Sequence, residues 1–318
     1  MLVDLKPKEL FSYQGRNPRP VDFDGYWAQA MGELEGLDPS PEWKPAAFKA
    51  PFAECFDLSF TGVRGARIYA NFIKPKKTEG RAPAVFAFHG YSGNSGDWTG
   101  LLHFAAAGMA VAAMDCRGQG GKSEDRGGVQ GNTLHGQIIR GLDSGPGELL
   151  FRHIFLDTVQ LVRLVSSLPE IDRNRLGCFG GSQGGGLSLV CAALCPEIKR
   201  AAPRMPFLCD YQRVWEMDLA KGAYQELQDY FRRFDPRHER EKGIFTTLGY
   251  IDVQHLAPRI KAEVLMFTGL MDTICPPSTQ FAAYNKITSK KNIKLYPDYA
   301  HENYPDSMDM TFEFMMGL

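Results

Sequence analysis

The chain has 318 residues, 44% hydrophobic and 12% aromatic, with a formal net charge of −1, and a fold of this size buries about three quarters of its unfolded surface. The near-zero charge gives no electrostatic case for nucleic acid or an anionic membrane surface. No apolar run approaches the roughly 18 residues that a bilayer span needs.

Residues 1–50 read as an N-terminal extension. Their first ten residues hold neither an apolar core nor a small-residue cleavage site, so they are not a secretory signal. The seven cysteines are an odd number with no C-x-x-C pair, which favours an intracellular location. Cys191 and Cys195 share a helix face and read as packing. A helix is predicted from Asp22-Phe-Asp-Gly-Tyr-Trp27, acidic in its first turn, to about Glu35. After a proline-rich loop, residues 54–60 and 67–73 alternate and carry aromatics, predicting an antiparallel hairpin. From Pro83 the pattern changes. Ala84-Val-Phe-Ala-Phe88 and Ala110-Val-Ala-Ala-Met114 are continuously apolar, as parallel strands covered on both faces should be. Helices are predicted at 98–107 and 152–167, then a strand at 176–179, a helix at 183–195, and strands at 264–268 and 293–296. Such alternation predicts an α/β fold, a mostly parallel sheet flanked by helices, in one domain. Residues 205–259 interrupt it with helical, aromatic and charged sequence, and read as a cap over the strand ends, where a pocket belongs.

The stretch Gly180-Gly-Ser-Gln-Gly184 fills the pattern G-x-S-x-G. With 14 Ser and 33 Gly in the chain, chance supplies about 0.15 matches, so context decides. An apolar strand precedes it and an alanine- and leucine-rich helix follows, the setting of a nucleophile elbow with Ser182 at its tip. The helix N-terminus offers free N–H groups beside that oxygen. A serine hydroxyl needs a base, and the base an orienting acid, following it in the order acid then histidine. His238, His255 and His301 lie downstream, and His238 sits in a charged, surface-like stretch. Asp272 follows the apolar strand 264–268, and His301 is the histidine beyond it. Asp298 is the second candidate acid, and Glu302 reads as a residue that orients the loop. For an oxyanion, the N–H of Gln183 and that of Tyr91, in the loop after strand 84–88, are the expected donors. His89 reads as a hydrogen-bonded loop residue. Arg117, followed by Gln119, is expected to tie loop carbonyls together beside the site. Phe207 and Ile274 are candidate acyl-pocket walls. Cys116-Arg-Gly-Gln-Gly-Gly-Lys-Ser123 ends like a P-loop but has Cys116 where the first glycine belongs. No metal-ligand spacing or dinucleotide fingerprint occurs, so neither metal nor cofactor is expected.

His89-Gly-Tyr91, Arg117-Gly-Gln-Gly120, Gly180-Gly-Ser-Gln-Gly-Gly-Gly186, Gly269-Leu-Met-Asp-Thr-Ile-Cys-Pro-Pro-Ser-Thr279 and His301-Glu302 together resemble the acetyl xylan esterase / cephalosporin C deacetylase family. This is the seventh carbohydrate esterase family, of the α/β-hydrolase superfamily. The resemblance extends to Asp22-Phe-Asp24, Tyr230-Phe-Arg-Arg233 and Phe281-Ala-Ala-Tyr-Asn285, nearly the whole chain. It implies an α/β-hydrolase fold, a triad of Ser182, Asp272 and His301, and an oxyanion hole from the Tyr91 and Gln183 N–H groups. It further implies removal of acetyl groups from short xylo-oligosaccharides and similar small esters by cytoplasmic, ring-like hexamers. Where the family usually has tyrosines before the arginine of the mid-chain helix, this chain has Leu149-Leu-Phe-Arg152.

Overall fold

Alternation of side chains along the two most apolar strands builds two separate cores. In the computed structural model, which describes residues 3–126 and 136–318, the strands are β1 (Glu42–Pro45), β2 (Ala53–Thr61), β3 (Arg67–Pro75), β4 (Ala82–Phe88), β5 (Ala110–Met114), β6 (Ile171–Gly181), β7 (Ile198–Arg204), β8 (Glu263–Gly269) and β9 (Lys291–Tyr296). The helices are α1 (Pro7–Leu10), α2 (Phe23–Gly32), α3 (Leu102–Ala106), α4 (Leu150–Ser166), α5 (Gln183–Leu194), α6 (Tyr211–Glu216), α7 (Gln225–Phe234), α8 (Glu241–Leu248), α9 (Val253–Leu256), α10 (Pro277–Tyr284) and α11 (Ser307–Met316). The strands form one sheet in the order β1-β2-β3-β5-β4-β6-β7-β8-β9. The first four in that order pair antiparallel, and β5 through β9 pair parallel. Phe86, Ala112 and Met114 enter the larger core with α2, α4 and α5. Val85, Ala87, Val111 and Ala113 point to the other face, against α3 and α11. This is the period-two alternation of strands covered on both sides.

Register places the site. Phe88 stands opposite Gly180 on β6 and Met114 on β5, so three parallel strands end level and their loops open along one edge. The 205–259 segment is helical, carrying α6 to α9 between β7 and β8.

The N-terminal extension is bound into the fold. Trp27 of α2 stacks on Phe155 of α4 at 5.9 Å between centroids. The carboxylate of Asp210 accepts the backbone N–H groups of Arg16 and Asn17, at 2.9 and 2.7 Å, and the Tyr13 hydroxyl at 2.7 Å.

Several elements differ from the sequence expectation, among them the short α1 and β1, the latter inside the stretch read as a proline-rich loop. β7 escapes it because Lys199, Arg200 and Pro203 break up its apolar run, and β6 begins five residues early behind the polar Asp172-Arg-Asn-Arg175. α10 and α11 are also additional; α11 covers the sheet with Phe312 and Met315.

Candidate active site

Ser182 joins β6 to α5 with φ 56° and ψ −118°, a region that a residue with a Cβ occupies only when its surroundings enforce it. The enforcement is close packing on the end of β4. A Cβ at Gly180 would lie 2.5 Å from the Phe88 carbonyl oxygen, and one at Gly184 would lie 1.9 Å from it. Glycine is therefore required on either side of the serine for steric reasons. The turn is fixed further by bonds from Ser182 N–H to the Arg204 carbonyl at 3.0 Å and from Phe207 N–H to the Ser182 carbonyl at 2.9 Å.

The structure brings Ser182, His301 and Asp272 together. His301 Nε2 lies 2.9 Å from Ser182 Oγ, and its Nδ1 lies 2.8 Å from Asp272 Oδ2. Asp272 has no exposed surface. Its Oδ1 accepts the N–H groups of Ile274 and Cys275, both at 2.8 Å, and Gln280 Nε2 reaches Oδ2 at 3.4 Å. Asp298 is exposed on the β9 side of the loop, while the nitrogen it would serve is bonded to Asp272. Glu302 Oε1 accepts the Ala300 N–H at 3.0 Å, orienting its own loop. Tyr304 pins that loop to the sheet: its hydroxyl accepts the Gly269 N–H at 2.8 Å and donates to the Ala300 carbonyl at 3.3 Å.

Against the serine turn stands the loop after β4, whose His89 carbonyl oxygen would lie 3.1 Å from a Cβ at Gly184. Gln183 is the first residue of α5, so its N–H has no intrahelical acceptor. Its side-chain oxygen accepts from Gln119 Nε2 at 2.9 Å, and Gln119 Oε1 accepts the Ser92 N–H at 2.9 Å. Gln119 thereby ties the Tyr91–Ser92 loop to the start of α5. The Tyr91 ring meets Phe207 edge-on at 5.8 Å, and its hydroxyl donates to Glu226 at 2.9 Å. Phe207 is fully buried and supports Tyr91 from behind; half-buried Ile274 faces Gly222. Beside them is a cavity of about 250 Å³ lined by Tyr91, Ser92, Gln137, Gly222, Gln225 and Glu226.

Arg117 departs from expectation. Its chief partner is the Asp157 carboxylate on α4, held through Nε at 2.7 Å and Nη2 at 2.6 Å; among the described residues the Val63 carbonyl, at 3.2 Å, is its one backbone acceptor. A guanidinium this deeply buried needs a counter-charge, which carbonyl dipoles do not supply. Burial pushes the His89 imidazole below its ordinary value, so it is neutral in the loop; Nδ1 donates to the Gly90 carbonyl and Nε2 accepts the Cys116 N–H at 2.9 Å.

Sequence reasoning passed over Asp115, Tyr304 and Glu226. Asp115 accepts the Ser95 N–H at 2.5 Å and the Lys122 N–H at 2.7 Å, gathering two loops behind the site. Its signal was present: an acid at the end of an apolar strand. Glu226 lies on amphipathic α7, yet it is 2% exposed; burial raises its carboxyl, while the four N–H and O–H donors around it favour the charged form.

Asp272, Cys275 and His301 place potential metal-ligand atoms within 4.8 Å of one another. Two of these are bonded to each other, and burial raises the Cys275 thiol well above its usual range, so the third is a protonated sulfur. This donor set does not fit a resident cation.

A family model described as acetyl xylan esterase (AXE1) matches residues 1–318. Among solved structures, acetyl xylan esterase 1 from Thermoanaerobacterium sp. JW/SL YS485 is 60% identical with a TM-score of 0.97, covering 99% of each chain. An acetyl xylan esterase from Paenibacillus sp. R4 is 35% identical with a TM-score of 0.94, over 98% of this chain and 99% of that one. The curated acetyl esterase Axe7A of Xylanibacter ruminicola is 28% identical over 94% of this chain, which spans 66% of that protein's length.

Proposed function

The chain belongs to the acetyl xylan esterase family, and from that premise we propose that it is a serine esterase that releases acetate from small acetylated substrates. Its sheet, flanking helices and strand-to-helix elbow are those of an α/β-hydrolase. Ser182 Oγ attacks the acetyl carbonyl while His301 Nε2 takes its proton, and Asp272 holds the Nδ1–H so that the imidazole presents its free nitrogen to the serine. The N–H groups of Gln183 and Tyr91 bind the oxyanion. His301 then passes the proton to the departing alcohol. Water, deprotonated by the same nitrogen, cleaves the acetyl-enzyme and acetate leaves. Acetylated xylo-oligosaccharides and cephalosporin C are the proposed substrates, and a cytoplasmic ring-like hexamer the proposed assembly. Among the described residues, no helix is long and apolar enough to cross a membrane.

The observation that carries this reading is one imidazole with its two nitrogens 2.9 Å from a serine oxygen and 2.8 Å from a carboxylate oxygen. Replacing Ser182 by Ala is expected to abolish acetate release from 4-nitrophenyl acetate while the circular-dichroism spectrum stays unchanged; near-full activity would remove the serine from the mechanism. An acetate-release panel across acetylated xylo-oligosaccharides, cephalosporin C and longer acyl esters tests the substrate class, and a preference for long acyl chains would contradict it.

A further inference from the structure

We propose that Glu226 is a positioning residue for the oxyanion hole: from α7 it grips the Tyr91 hydroxyl and so fixes the direction of the Tyr91 N–H. The proposal rests on the esterase reading above.

The Glu226 carboxylate is surrounded by donors. Oε1 accepts the Tyr91 hydroxyl at 2.9 Å and the Gln137 N–H at 3.2 Å, and Oε2 accepts the N–H groups of Ile138 and Ile139 at 2.9 and 3.0 Å. A carboxylate has about four lone-pair sites, and here each has a partner. Three successive backbone N–H groups turned toward one side chain form an anion-holding concavity. Gly136 lets the chain approach: a Cβ there would fall 1.9 Å from Glu226 Oε2. The carboxylate therefore has a place independent of Tyr91, and the phenol bond is a further link from this anchor to the loop after β4.

Several neighbours of residue 91 are tied down. The Gly93 N–H closes a turn onto the Gly90 carbonyl at 3.0 Å, and Phe207, which supports the ring, is bonded through its own N–H to the Ser182 carbonyl at 2.9 Å. The Ser92 N–H is taken by Gln119. None of these bonds holds the Tyr91 side chain itself, and the bond to Glu226 restrains the swing of its ring with the attached peptide. A donor turned out of line weakens steeply with angle, so the aim of this N–H matters more than its presence.

Tyr91→Phe keeps the ring and the N–H and deletes only the link. It is expected to lower kcat on 4-nitrophenyl acetate about tenfold, a fraction of the roughly 10²- to 10³-fold that follows complete loss of one such donor, with KM within about twofold. Affinity for a boronic acid, whose tetrahedral adduct on Ser182 puts an oxygen in the same hole, should fall by the same factor as kcat. Glu226→Gln should lower kcat similarly, and adding it to Tyr91→Phe should bring little further loss, because two variants that break one interaction are not additive. Wild-type kcat and boronate affinity in Tyr91→Phe would overturn the proposal, as would fully additive losses in the double variant. If Glu226→Gln fails to fold by circular dichroism, Tyr91→Phe alone decides. Full activity in Ser182→Ala would instead sink the esterase reading, whatever the Tyr91 variants do.

Discussion

Asp272 does two things with two oxygens. Oδ1 is held by consecutive backbone N–H groups that set the carboxylate plane, and Oδ2 is left facing His301. Asp272→Asn keeps the size but offers an amide where an acceptor is needed, which favours the wrong imidazole tautomer; kcat is expected to drop by about 10⁴, measured under saturating ester, with the melting temperature little changed. This residue was legible because a strand end, chain order and the last downstream histidine converge on it. Ser182 was legible for a similar reason: the steric demand for glycine at 180 and 184 is written locally. Tyr304 and Glu226 were not, since their partners lie far off in sequence, 35 and 135 positions away. Nothing in the residues beside them indicates such contacts.

Among the elements, α4 shows how a helix is pinned to the sheet edge by a charge pair. Arg117 and Asp157 are both fully buried, and Asp157 lies so close to the turn before residue 63 that a Cβ on Gly62 would come 2.2 Å from its Oδ1. Asp157→Ala strands a guanidinium in the interior, and a loss of about 3–5 kcal/mol of stability is expected, read from the urea midpoint at constant m. An unchanged midpoint would mean the pair contributes nothing. The apolar runs of β4, β5 and β8 announced themselves because both faces of each are covered. β7 gave no such signal: its alanines are buried, but its charged residues and Pro203 dilute the pattern. Arg117 illustrates the same limit, for its placement beside the site was readable and its carboxylate partner on another element was not.

At the scale of the whole molecule, burial lowers several histidines, and His153 and His255 are shifted furthest. Burial, aided by the nearby Arg117, Arg64 and Arg152, pushes His153 down to about 3, and burial with Lys286 and Arg19 pushes His255 down to about 4. Both lie below the unfolded value of about 6.5, so the unfolded chain binds more protons and stability falls as pH drops through that window. Buried acids work the other way: Asp252 is pushed up to about 6 and Glu226 is raised as well, above their unfolded values, so they recover some stability as pH falls toward 4. From pH 6.5 to 4 the histidine contribution to stability therefore declines. His153→Gln should flatten that decline by about 1–3 kcal/mol, checked by calorimetry across the window; an identical slope would show that His153 does not carry it. The Asp210 clasp has a separate consequence for how the chain is assembled. Its carboxylate and the backbone N–H of Arg16 are 194 positions apart, so as the protein is made the leading segment must wait, unfastened, until most of the sheet has emerged from the ribosome.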